Sequence, residues 1–323
     1  MRNWFALAVS SAMLLVAPFA SAQADEYPGS KPVRIIVPSA PGSGGDSAAR
    51  FFGEQLGKQL GGSFVIDNRT GAGGVIAANA VKSAPADGYT IFIGSNTPLV
   101  VTPLVMKNLR YDPIADFTPL SGTTRGVTMI SVQPGSPIKS LQELVAKAKA
   151  AKEPLNAGAF TAGYQLALEW FSNMAGIKVN VIPYKDSAMM YADVAGGRID
   201  FVISDVVGGS AAIRGNLIRP LAMTAEKRHP DFPQVPTARE AGYPEFVNYV
   251  WSSFVVRADT PAPIRKKLAD ALARIMDTDL AREYAKNNNT ELLDLGAEEM
   301  RKFQLEEFER FKKVANAAGI TPQ

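Results

Sequence analysis

The sequence predicts an α/β protein of two lobes with a ligand cleft between them. Three observations carry this. Short β-rich runs alternate with helix-period runs over residues 33–93, which argues a parallel sheet with helices on its faces. A second alternation of the same kind occupies 127–224. The elements that follow, from Trp251 to Ala318, then rejoin the first unit. Two lobes joined by two crossing strands leave a cleft, the default place for a small molecule. The expected division is lobe 1 over 27–125 plus 223–323 and lobe 2 over 126–222.

The chain begins with Arg2, an apolar run from Trp4 to Phe19 and then Ala20-Ser21-Ala22. This is the pattern of a cleaved secretory signal peptide over 1–22, and the run is too short to span a bilayer. Export is therefore expected. Within lobe 1, residues 33–37 read as a strand ending at Pro38. Phe51, Phe52, Leu56 and Leu60 recur at helical spacing over 46–60. A strand is expected at 64–66, a helix entered through glycines at 71–82, and a strand at 89–93.

In lobe 2 a strand is expected at 127–132. Ser140 and Glu143 form a capping-box signature that opens a helix to about residue 150. Pro154 and the GAFTAG stretch, 158–163, read as a loop before a helix over 164–174. Strands follow at 179–182 and 199–203, and short helices at 188–195 and 211–214. Residues 220–224 read as a strand returning from this unit. After a turn-rich stretch with four prolines come a strand at 251–256, a helix opened by Thr260-Pro-Ala-Pro263, and a final helix at 297–318. Met300, Phe303, Phe308, Phe311 and Val314 give that helix its apolar face.

Composition narrows the function. A net charge of +3, with both signs mixed along the helices, predicts neither nucleic acid nor a membrane surface as partner. There is no cysteine, hence no disulfide, thiol nucleophile or thiolate metal site. The single histidine, His229, cannot build a multi-histidine zinc site and reads as part of a surface loop. No metal, cofactor or catalytic residue is expected, and a monomer is expected.

The residues that carry chemistry follow the first strand: Ser39, Pro41, Gly42, Ser43, Gly44, Gly45 and Asp46. Gly42-x-Gly44, with Asp67 near the end of the second strand, imitates a dinucleotide fingerprint. The third glycine of that pattern is Ser47, and no Lys-Ser/Thr follows to make a Walker loop. Glycines nevertheless let successive N–H groups point into one concavity, and a helix start adds unpaired N–H groups. The loop is expected to hold a carboxylate, with Asp46 capping the helix and turned away from the ligand. Ser95, Asn96 and Thr97 follow the third strand toward the same cleft.

KPVRIIVPSAPGSGGDSAAR, VIDNRTGAGGVIAANAV, ADGYTIFIGSN, LRYDPIADFTPLS, VIPYKDSA, AGGRIDFVIS and RPLAMTAEKRHPDFPQVPTAREAGYPEF together resemble the Bordetella uptake gene (Bug) family. These are periplasmic receptors of tripartite tricarboxylate transporters. The resemblance implies a type II periplasmic-binding-protein fold. It implies a small organic carboxylate (di-, tri- or aromatic) as ligand and the transporter's membrane subunits as partner. The family's Pro-Pro-Gly-Gly-x-x-Asp carboxylate loop maps onto Ala40–Asp46, with Ala40 and Ser43 departing from it. Its second binding loop maps onto Gly158–Gly163, two residues shorter, with Phe160 and Tyr164 in place of small or polar residues. The candidate ligand residues of lobe 2 are thus Phe160, Thr161, Ala162, Gly163, Tyr164, Ser204 and Asp205. Phe160 either stacks on a ring-bearing ligand or fills the gap left by the shorter loop. Asp205 either recognises a ligand amine or hydroxyl or caps the next helix. Two other outputs stay open: a ligand-presenting co-receptor of a sensor kinase, and, weakly, an exported hydrolase.

Overall fold

A computed structural model describes residues 27–322; the expected signal peptide lies outside them. Lobe 1 starts with β1 (Val33–Val37), whose successive side chains face opposite ways. Ile35 and Val37 join one buried cluster with Phe52, Leu56, Ile91 and Phe254. Ile36 joins a second with Val81, Phe92, Trp251 and Phe311. α1 (Gly44–Leu60) buries Ala48, Ala49, Phe52 and Leu56 and stops at Gly61, whose φ of 70° suits the left-handed cap. β2 (Phe64–Asn68) is followed by one 3-10 turn and α2 (Val75–Lys82). β2 and β3 (Thr90–Ser95) both run parallel to β1 and flank it. A single π turn over Thr97–Val101 leads into α3 (Thr102–Val105).

β4 (Phe117–Val132) is the outward crossing strand. Its first half was not expected, because Pro119, Gly122 and Gly126 break the β-rich pattern. Lobe 2 then runs α4 (Leu141–Ala150), β5 (Leu155–Ala159), α5 (Ala162–Ala175), β6 (Val179–Pro183), α6 (Ser187–Ala195), β7 (Phe201–Asp205), α7 (Val206–Arg214) and β8 (Arg219–Met223). Ser140 caps α4, with the Glu143 N–H donating to Ser140 Oγ at 3.1 Å, while the Glu143 carboxylate accepts the Lys139 N–H at 2.7 Å rather than that of Ser140, so the box is only half formed. The GAFTAG stretch is a loop only at Phe160-Thr161. Gly158 and Ala159 end β5, which lies between β6 and β7, and Ala162 and Gly163 already belong to α5. Gly158 is needed there, since a Cβ would approach Ile199 Cδ1 to 2.7 Å and Met190 Cγ to 2.9 Å.

The chain returns to lobe 1 in β9 (Tyr249–Arg257), α8 (Ala262–Met276), α9 (Asp279–Asn287), β10 (Glu291–Leu292) and α10 (Ala297–Ala317). Strand order is β2-β1-β3-β9-β4-β7-β5-β6, with β8 and β10 also on β4. β4 pairs with β9 as far as Val127 and with β7 from Thr128, so the first crossing falls two residues beyond the expected 125/126. The second differs more. Residues 224–248 were assigned to lobe 1, yet Ala238, Ala241 and Phe246 pack in a lobe 2 cluster with Ile130 and Phe171. Prolines hide that apolar set from periodicity. His229 lies in the same stretch and is not on the surface. It is 7% exposed, packs on Phe232, and its Nδ1 accepts the Asp231 N–H at 3.2 Å. No helix among the described residues is long and apolar enough to cross a membrane.

The two crossings meet in a buried polar knot. The Thr128 and Thr224 hydroxyls lie 2.7 Å apart, Asn248 Nδ2 donates to Thr128 Oγ1 at 3.2 Å, and Thr224 Oγ1 donates to the Asn248 carbonyl at 2.6 Å. Thr128→Val keeps the shape and strands the Asn248 amide. A loss of about 1–3 kcal/mol is expected, read as a lower urea midpoint; an unchanged midpoint would contradict the knot's role.

Candidate functional site

The cleft is lined by loops at the carboxyl ends of the parallel strands, where open α/β sheets bind ligands. In lobe 1 the loop after β1 is fixed from within. Ser43, not Asp46, is the N-cap of α1, and its Oγ accepts the Asp46 N–H at 3.3 Å. Asp46 sits one turn in, only 3% exposed. Its carboxylate accepts the Gly42 N–H at 2.9 Å, Arg50 Nε at 2.9 Å and Asn68 Nδ2 at 3.0 Å. Ser39 and Ser43 share a hydroxyl contact of 2.7 Å, and the Ser39 carbonyl accepts Asn68 Nδ2 at 2.9 Å. Pro41 and Gly42 are exposed on the rim.

The donor set is therefore narrower than four consecutive N–H groups. The Gly42 N–H serves Asp46, and the Ser43 N–H serves the Ala40 carbonyl at 3.2 Å. The Gly44 and Gly45 N–H groups, first and second in α1, have no partner among the described residues. Burial raises the Asp46 pKa, but the Arg50 hydrogen bond, the Gly42 N–H and Asn68 outweigh it and leave the carboxyl below its usual range. A lowered folded-state pKa gives stability above the unfolded value, lost as pH falls through the folded one. Below about pH 4, the melting temperature of the unsubstituted protein should fall more steeply than that of Asp46→Asn. Parallel curves would contradict this.

Lobe 2 repeats the device. Thr161 caps α5, its Oγ1 accepting the Tyr164 N–H at 3.3 Å. The Ala162 and Gly163 N–H groups are then the first-turn donors without a partner among the described residues. Asp205 caps α7. Its Oδ1 accepts the Gly208 N–H at 2.6 Å and its Oδ2 accepts the Tyr164 hydroxyl at 2.6 Å. Burial, then the Asp205 charge, pushes the Tyr164 hydroxyl pKa well up, so it stays a donor. Phe160 packs against both lobe 2 clusters, its ring 4.9 Å from that of Tyr164.

The lobes meet at these helix ends. A Cβ at Gly163 would lie 3.1 Å from Thr97 Oγ1 and 3.9 Å from Asn96 Nδ2. Asn96 is 4% exposed and its Oδ1 has no hydrogen-bond partner, a costly state for a buried amide. On the other side, a Cβ at Gly44 would lie 3.3 Å from Val207 Cγ1 of α7. Of the expected site residues, the structure thus groups Gly44 and Gly45 at one helix end, and Asn96 and Thr97 with Ala162 and Gly163 at the other. Ser95 ends β3 opposite Ser252. Ser204 is wholly buried in β7 opposite Met129, and its Oγ has no hydrogen-bond partner among the described residues. Sequence reasoning missed Arg50 and Asn68, which hold the first loop, and Val207, whose apolar side chain gave no signal.

Comparison with known proteins places this arrangement. The profile described as tripartite tricarboxylate transporter family receptor matches residues 48–320. The chain is 34% identical over 248 residues to Protein BugT of Bordetella pertussis, covering 76% of each. It is similar to a structure titled R. palustris Rpa4515 with adipate, with TM-score 0.86 and 33% identity over 92% of this chain and all of that one. MatC from Rhodopseudomonas palustris, with bound malate, gives 0.81 and 26% over 89% of this chain and 99% of that one. Periplasmic binding protein BugD gives 0.83 and 26% over 92% and 100%. The two-lobed fold is that of the periplasmic binding proteins, and the chain belongs to the family of tripartite tricarboxylate transporter receptors.

Proposed function

We propose that the protein captures a small dicarboxylate or related organic carboxylate in the periplasm and presents it, as a monomer, to the membrane subunits of a tripartite tricarboxylate-type transporter. It makes and breaks no covalent bond. The observation that carries this reading is the pair of helix starts on opposite lobes, each with two unpartnered N–H groups, Gly44 and Gly45 on one and Ala162 and Gly163 on the other. None of the expected site residues is Lys or Arg. A carboxylate satisfies such donors, and the positive helix ends favour it. Bonding both ends at once requires the lobes to be together, so a ligand with two carboxylates favours the closed form by its differential affinity. The adipate and malate bound by the two similar proteins are of this kind.

Phe160 then acts by packing. Phe160→Ala should weaken linear and ring-bearing carboxylates alike; a loss confined to ring-bearing ones would assign it to stacking. For the transport output, deleting the gene should abolish uptake of the bound carboxylate, and a plasmid copy should restore it. Intact uptake alongside a lost transcriptional response would instead make the protein a sensor's co-receptor.

A further inference from the structure

We propose that Tyr164 sets the ligand class by occupying Asp205, so that the cleft takes carboxylates without an amino group. This rests on the carboxylate-receptor reading and adds to it a selection against amino acids.

An α-ammonium group is bound most strongly where an anionic acceptor has oxygens turned toward it. Among the expected site residues only Asp46 and Asp205 carry a carboxylate. Asp46 is committed to the Gly42 N–H, to Arg50 Nε and Nη2, and to Asn68. Asp205 is the remaining acceptor. It stands beside the two helix starts of lobe 2, next to Val207, which faces Gly44 across the cleft. The Gly208 N–H holds Oδ1 and the Tyr164 hydroxyl holds Oδ2, each at 2.6 Å.

The Tyr164 ring has little freedom to move away. It is 5% exposed, packs on Phe160 and lies in the lobe 2 core with Leu168 and Phe171. Its backbone N–H is fixed on Thr161 Oγ1. An incoming ammonium would have to displace or share a short hydrogen bond to a rigid phenol, and it would lose its own hydration on closure. An unsubstituted carboxylate meets no such cost.

Adipate and 2-aminoadipate differ by that one group, and calorimetry with both tests the proposal. The unsubstituted protein should prefer adipate. In Tyr164→Phe the ratio of the two affinities should shift toward 2-aminoadipate by about tenfold, the value of one hydrogen bond to a charged group. Adding Asp205→Asn to Tyr164→Phe should reverse the shift. Thermal melts of each variant establish that it is folded. A ratio unmoved by Tyr164→Phe, a shift that persists in the double variant, or an unsubstituted protein that prefers 2-aminoadipate would overturn the inference and leave the carboxylate reading standing. If the unsubstituted protein binds malate but not adipate, succinate and aspartate replace the pair with the same expected and contrary outcomes; failure to bind any carboxylate would overturn both.

Discussion

Gly45→Val is expected to weaken dicarboxylate binding about a hundredfold or more while the protein stays folded. The Gly44 and Gly45 N–H groups are the first-turn donors that the loop leaves unused. Each bond from such a donor to a carboxylate contributes about 1.5–3 kcal/mol, so losing both exceeds about 2.7 kcal/mol, or a hundredfold. A Cβ at Gly45 would lie 2.9 Å from Ser39 Oγ, the tip of a short side chain that can rotate. The branched side chain of valine then occupies the space in which an anion reaches the helix end. Calorimetry with adipate measures the effect. An affinity within about threefold of the unsubstituted protein would remove the α1 end from the site. Gly44→Val tests the facing wall, because its side chain meets Val207 across the cleft and opposes closure.

Trp251→Ala should be the most destabilising single change, at about 3–5 kcal/mol. Trp251 lies in β9, is 1% exposed and packs edge-on against Phe303. Its Nε1 donates to Glu307 Oε2 at 3.1 Å, and Glu307 in turn accepts a hydrogen bond from Arg310 Nη2 at 2.8 Å. Arg310 Nη1 donates to the Val247 carbonyl at 2.6 Å, just before the return crossing. The ring therefore anchors α10 to the strand that joins the lobes, and its loss leaves both a cavity and a half-partnered buried carboxylate. A urea midpoint close to that of the unsubstituted protein would contradict this.

Much of this architecture was legible because the periodicities were clean. Val33–Val37 is β-branched and bounded by proline, and residues 46–60 repeat at helical spacing. β5 was hidden because Leu-Asn-Ala-Gly-Ala has the composition of a loop. Its place between two strands, with Ile199 and Met190 pressing on Gly158, selects small residues there. The first half of β4 was hidden by Pro119 and Gly122, where its register with β9 shifts. At the site, the glycines after β1 pointed to a helix end, which is local chemistry, whereas the start of α5 at Thr161-Ala-Gly163 lay in a stretch that reads as a loop and entered the site only through the resemblance. The helix cap expected at Asp46 is Ser43 instead, since both residue types cap helices. Arg50 one turn on and Asn68 at the end of β2 decide between them. Such partnerships across elements leave no periodic trace. The pairing of Tyr164 with Asp205, 41 positions apart, is of the same kind.

The central claim is that two opposed helix ends hold the two carboxylates of one ligand. Its most direct test is calorimetric titration of the protein with adipate, malate and their monoamides. The account predicts one site per chain for a dicarboxylate, a raised melting temperature on saturation, and a loss of about tenfold or more when one carboxylate becomes an amide. Equal affinity for a dicarboxylate and its monoamide, or no binding of any carboxylate, would contradict it.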